Sequence, residues 1–174
     1  MILYLDTSAL VKLYSEEPGR EEVQAAVEGA RVIAVSEIGY VEARSALARK
    51  EREGALSEEQ HYAAVEQLER DFREVYLSRP ATGVIIASAG EAARRHALRA
   101  YDAIHLATAL VLKSEVRELW DRRGESAETT ALEDDEPPRV LLMSYDASLA
   151  EAAREENLAY EPNDLEAPSP RTEG

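Results

Sequence analysis

Residues 1–14, MILYLDTSALVKLY, decide the reading of the fold. Ile2 to Leu5 is an apolar run too short for a helix of its own, and it stops at Asp6. Such a run reads as a buried strand. Thr7 or Ser8 can cap the helix predicted from Ala9 to Tyr14. Asp6 therefore stands at a strand end leading into a helix, where packing gives a carboxylate no reason to be.

Working outward, the same alternation recurs. Pro18 and Gly19 break the first helix, and Arg20 to Gly29 has the composition of a second. Arg31 to Val35 is a β-branched strand ending at Ser36, which can cap a helix from Glu37 to Glu53, closed by Gly54. Ser57 to Gln60 fits a capping box and opens a helix through Tyr62, Val65, Leu68 and Phe72 toward Pro80. Gly83 to Ala87 reads as a third strand, followed by helices at Glu91 to Leu98 and Asp102 to Lys113. The second of these is so apolar in its first turns that burial is expected. Val140 to Met143 reads as a fourth strand, Leu149 to Glu155 as a helix, and Leu158 to Tyr160 as a fifth, edge strand. Strands alternating with helices predict an α/β protein with a central parallel sheet of four to five strands.

The chain has 174 residues, 45% of them hydrophobic, enough for one core and too few for two comfortable domains. We expect one domain over residues 1–165, an acidic loop insertion at about 114–139, and a disordered tail at 166–174. Cysteine is absent, which excludes disulfides, thiol catalysis and thiolate metal sites. The N-terminus lacks a basic region and meets Asp6 early, so neither a signal peptide nor a membrane span is predicted. A soluble cytoplasmic protein with no membrane partner is expected.

The net charge of −15 argues against a general nucleic-acid binder. Part of that acidity is concentrated in Glu125 to Glu136 and Asn157 to Glu166, whereas Arg44, Arg49, Lys50 and Arg52 cluster, as do Arg94, Arg95 and Arg99. Each basic cluster also reads as a solvated helix face balancing nearby glutamates.

Four acids, Asp6, Glu42, Asp102 and Asp146, share one kind of placement, each where an apolar stretch meets a turn or helix. Ligand sites of open parallel sheets gather at the carboxyl ends of strands, where Asp6 and Asp146 fall. Asp102 opens a helix predicted to be buried, and Glu42 lies on another. Singly, the aspartates read equally as helix caps and Glu42 as a surface residue. Jointly, they would repel one another around a pocket unless a cation entered. Oxygen ligands suit Mg²⁺ or Mn²⁺, which support hydrolysis of phosphodiesters.

Four segments carry a family resemblance: LDTSALVKLY (5–14), SEIGYVEARSAL (36–47), RAYDAIHLATAL (99–110) and LLMSYDASLAEAA (141–153). In that order they resemble the signature segments of PIN-domain ribonucleases, most closely the VapC-type toxins of toxin–antitoxin pairs. The resemblance implies a three-layer α/β/α sandwich and an endoribonuclease dependent on Mg²⁺, with Mn²⁺ as substitute. By the same resemblance Asp6, Glu42, Asp102 and Asp146 are the catalytic and metal-binding acids, with Asp6 and Asp102 the leading ligands and Asp146 acting through water. Ser8 and Ser144 match the small hydroxyl positions that support the metal site, Ser144 standing where threonine is commoner. It further implies an RNA substrate, a small VapB-like antitoxin and a homodimer. Arg44, Arg49, Arg95 and Arg99 are the candidate RNA phosphate contacts. A PIN-like protein-binding module of weak activity and a non-toxin RNA-processing nuclease are the alternatives.

The remaining polar residues have plainer readings. Lys12 reads as a solvated lysine and His105 as a hydrogen-bonded core histidine. His61 and His96 stand in polar helical contexts, and scattered histidines without cysteine make zinc a poor candidate. Tyr101 and Tyr145 flank two of the acids, where stacking on a base is one reading and shielding of a pocket rim the more ordinary one. There is no glycine-rich phosphate loop and no G-x-S-x-G motif.

Overall fold

A computed structural model describes residues 1–126 and 137–160, with backbone alone for 124–126. Its elements, in chain order, are β1 (Ile2–Leu5), α1 (Thr7–Leu10), β2 (Val32–Ser36) after α2 (Arg20–Gly29), α3 (Glu37–Arg52), α4 (Glu58–Glu74), β3 (Leu77–Arg79), α5 (Gly83–His96), α6 (Ala100–Ser126), β4 (Val140–Met143) and α7 (Ala147–Glu155). A short 3-10 turn, Val11–Leu13, continues α1. The strands form one parallel sheet in the order β3-β2-β1-β4.

Period-two alternation explains the layers. Tyr4, Ala34, Val140 and Leu142 face a core shared with α5, α6 and α7, whereas Leu3, Leu5, Val35 and Met143 face a second core built with α1 to α4. Both faces of the sheet are therefore covered, and β1 and β4 are buried along nearly their whole length. This is the three-layer α/β/α arrangement expected. It places a topological switch point between β1 and β4, because the chain leaves β1 toward β2 on one side and returns to its other side at β4.

Several local expectations hold. Ser36 caps α3 through the Ile38 amide, and Ser57 with Gln60 forms a complete capping box on α4. The early turns of α6 are buried, with Ala103, Leu106, Ala107 and Ala109 almost inaccessible.

Others are corrected. Gly83 to Ala87 is the start of α5, not a strand: Thr82 accepts from the Ile85 amide, and Ile85, Ala89 and Ala92 are buried while Val84 and Ile86 face outward. A β-branched run here serves a helix, because its burial follows a period near 3.6. The third strand is Leu77–Arg79, a stretch assigned above to the end of a helix; α4 stops at Glu74, and Ser78 pairs with Val35. The two helices expected at Glu91 to Leu98 and Asp102 to Lys113 are longer, and Ala97 in the left-handed region separates them. Residues 114–126 of the expected acidic loop are helical, a continuation of α6. The rest of that loop up to 136 and the tail at 166–174 lie outside the described residues. Leu158 to Tyr160 makes a single bridge, Leu142 with Ala159, so the described sheet has four strands.

Candidate active site

The site grows from the ends of β1 and β4. Asp6, not Thr7 or Ser8, caps α1: its Oδ1 accepts from the Ala9 amide at 2.9 Å. Asp6 is 4% exposed, and a carboxylate so buried requires donors. The Ser8 hydroxyl lies 2.8 and 2.9 Å from its two oxygens, and Ser144 donates to Oδ2 at 2.7 Å. Ser144 accepts in turn from the Asp146 amide at 3.0 Å, and Ser8 from the Tyr145 amide at 2.7 Å. The two serines thus tie the ends of the adjacent parallel strands through one carboxylate. Burial raises the Asp6 carboxyl above its ordinary range, against the charge of His105 and the donors Ser144, Ala9 and Ser8.

Glu42, on α3, is held from the other side. His105 Nε2 stands 2.8 Å and Thr7 Oγ1 2.6 Å from its Oε2. Tyr4 reaches His105 Nδ1 at 2.8 Å. A carboxylate only accepts, so Nε2 donates to Glu42, while Nδ1 lies against the hydroxyl of Tyr4, which burial keeps protonated. Burial alone would raise Glu42, but the hydrogen bonds from His105 and Thr7 outweigh it and leave the carboxyl below its ordinary range.

Asp102 lies in the first turn of α6. Among the described residues its carboxylate has no hydrogen bond or ion pair. Burial, then the charge of Asp146, raises it; Asp6 and Glu42 add to the rise and His105 opposes it. Asp146 caps α7 through the Leu149 amide at 2.9 Å. All four acids line one cavity of about 390 Å³, together with Ser8, Lys12, Arg49 and His105. The donors are hard oxygens, the right kind for a divalent cation. Among the described residues no three His, Cys, Asp or Glu side chains are arranged to hold a metal ion together, so the fit is one of donor chemistry.

The PIN domain profile matches residues 3–160. The chain belongs to the PIN-domain family. Two relatives of this PIN domain, Ribonuclease VapC45 from Mycobacterium tuberculosis strain CDC 1551 / Oshkosh and Ribonuclease VapC49 from strain ATCC 25618 / H37Rv, are each 37% identical over 127 residues. The matched stretch is 70% of this chain and 85% of each relative.

Of the four arginines singled out in the PIN-domain sequence, only Arg49 lines the cavity. Arg44 is paired with Glu69 at 2.7 Å and also donates to Tyr40. Arg95 is paired with Glu156 at 2.7 Å, joining α5 to the end of α7. Arg99 is exposed just before α6. Lys12 is not merely solvated: it donates to the Pro18 carbonyl at 2.7 Å and lies 4.2 Å from the centre of the Tyr145 ring. His105 is the hydrogen-bonded core histidine expected. What sequence reasoning missed is its partner, since nothing in the spacing connects His105 and Thr7 to Glu42. Among the described residues no helix is long and apolar enough to cross a membrane.

Proposed function

We propose that this protein is a metal-dependent endoribonuclease of VapC type, the toxin of a toxin–antitoxin pair. The observation that carries the reading is the lining of one cavity, at the switch point of the sheet, by Asp6, Glu42, Asp102 and Asp146 in a PIN-domain chain. In this reading Asp6 and Asp102 are the leading ligands of Mg²⁺, or of Mn²⁺ as substitute, with Glu42 beside them and Asp146 acting through water. A bound cation supplies positive charge next to the phosphodiester and a water of lowered pKa for in-line displacement.

The chain's own residues orient the acids. Ser8 and Ser144 hold Asp6, and His105 with Thr7 holds Glu42 in its ionised form. Asp102 has no such holder, and three like charges around it account for the need of a counter-cation. Arg49 is the candidate phosphate contact. Arg44 and Arg95 are set aside because carboxylates already hold them. A small VapB-like antitoxin as partner draws on the VapC names of the relatives, and a homodimeric assembly and a cytoplasmic location complete the proposal from the family resemblance alone.

The test is cleavage of structured RNA by the purified chain in Mg²⁺ or Mn²⁺, with Asp6→Asn and a chelated control alongside. Asp6→Asn should lose more than roughly 100-fold, since even a supporting hydrogen bond at a metal site is worth about 10–100-fold. Cleavage unchanged by the substitution, or by chelation, overturns the reading.

A further inference from the structure

A second cavity, of about 410 Å³, adjoins the acidic one, and Thr7, Glu42, Ala46 and Arg49 belong to the walls of both. Its remaining lining has a different character: Ile38, Val41, Ser45 and Tyr101. Tyr101 is 58% exposed and Val41 65%. Among the described residues the Tyr101 hydroxyl has no hydrogen bond and its ring no aromatic or cationic neighbour. Arg49, on the shared wall, likewise has no ion pair among the described residues, while its neighbour Lys50 is held by Glu17 at 3.1 Å.

We propose that this second cavity is a nucleobase subsite, in which a base next to the scissile phosphate stacks on Tyr101 against Ile38 and Val41 while Arg49 takes the adjoining phosphate. The proposal rests on the ribonuclease reading and deepens it. Three observations favour a nucleotide over a peptide as the occupant. Tyr101 shares the wall of this cavity with Glu42, so a base on that ring lies beside the acids. The unpaired cation is on the wall common to both cavities, where a sugar–phosphate link would pass from one to the other, and it complements the anion. The cavity is also of a size at which pockets take small ligands. An aromatic platform accepts any base through its π-face, and the Ser45 hydroxyl adds one donor and acceptor for a base edge.

The test uses short single-stranded RNAs carrying 2-aminopurine at one position at a time, titrated in Mg²⁺ with the full chain bearing Asp6→Asn to hold back cleavage. Stacking in the subsite quenches the probe at one position. Tyr101→Ala in the same background should weaken binding about ten-fold and abolish that quench, as loss of one base–aromatic stack implies. Tyr101→Phe should keep both, because it keeps the ring. Unchanged affinity and quench in Tyr101→Ala overturn the subsite, and so does a Tyr101→Ala protein that binds RNA normally but fails to hold a helical antitoxin peptide. A parent chain that shows the quench yet never cleaves RNA in Mg²⁺ or Mn²⁺ leaves the subsite standing and removes the nuclease reading.

Discussion

The two sides of the acidic cavity are built differently. On the side of β1 and β4 every polar group is engaged: Asp6 holds Ser8, Ser144 and the Ala9 amide, and Lys12 lies between the Pro18 carbonyl and the Tyr145 ring. The Tyr145 hydroxyl in turn donates to Glu22 at 2.7 Å and lies 3.0 Å from the Gly19 carbonyl. Gly19 has φ +90°, and a Cβ there would come 2.7 Å from that hydroxyl, so only glycine allows the approach. On the side of α3 and α6, His105 and Thr7 hold Glu42, but Arg49, Tyr101 and Asp102 have no such partners among the described residues. Saturated groups pre-organise a site, whereas groups left unpaired at a cavity wall are available to something that arrives.

Breaking the saturated side should cost most. Ser144→Ala removes one donor from a buried carboxylate and the acceptor of the Asp146 amide together, and a fall of about 10–100-fold in metal affinity or cleavage rate is expected. Metal titration followed by calorimetry checks it, and an unchanged affinity would show that Ser8 and the Ala9 amide suffice to orient Asp6.

On the open side the effect is smaller and electrostatic. Arg49→Gln should reduce the slope of log affinity for single-stranded RNA against log salt by about 0.7, the share of one phosphate contact. Lys50→Gln, one residue on, should leave the slope nearly unchanged, because Glu17 already neutralises that lysine. Equal slopes for the two variants would erase the distinction between engaged and free cations.

The smallest expected effect is on stability. The Asp102 carboxyl lies above its ordinary range in the folded chain. Below that range it is protonated folded and unfolded alike and contributes nothing. As pH rises, the unfolded chain loses its proton first, so folding loses stability until the raised folded pKa is passed, and the loss persists above it. Asp102→Asn in chelator should therefore raise Tm at neutral pH by on the order of a degree or two and leave it unchanged in acid, with added Mg²⁺ narrowing the gap. A lowered Tm at neutral pH would mean that Asp102 is held by something other than repulsion.

How far sequence reasoning reached can be followed through particular residues. Ile2 to Leu5 with Asp6, and Val140 to Met143 with Asp146, were legible as strand ends because a buried parallel strand must be continuously apolar and must stop where polarity returns. Gly83 to Ala87 misled because β-branched residues alone do not separate a strand from an amphipathic helix; the exposure of Val84 and Ile86 around buried Ile85 does. Leu77–Arg79 was invisible for a related reason, since three residues following α4 without a breaker carry no period of their own.

The sequence by itself determined the class of fold, because apolar periodicity is a local property, and through its family resemblance it pointed to a ribonuclease and to the four acids proposed as its site. Only the tertiary structure decided which groups around those acids are spent and which are free. Arg44 and Arg49 look alike in sequence, yet Glu69 on α4 holds the first and nothing described holds the second. Tyr101 and Tyr145 each flank an aspartate, yet only Tyr145 meets a lysine and a glutamate brought from elsewhere in the chain. Such pairings depend on the packing of distant elements against one sheet, and no local pattern in the chain encodes the distance between them.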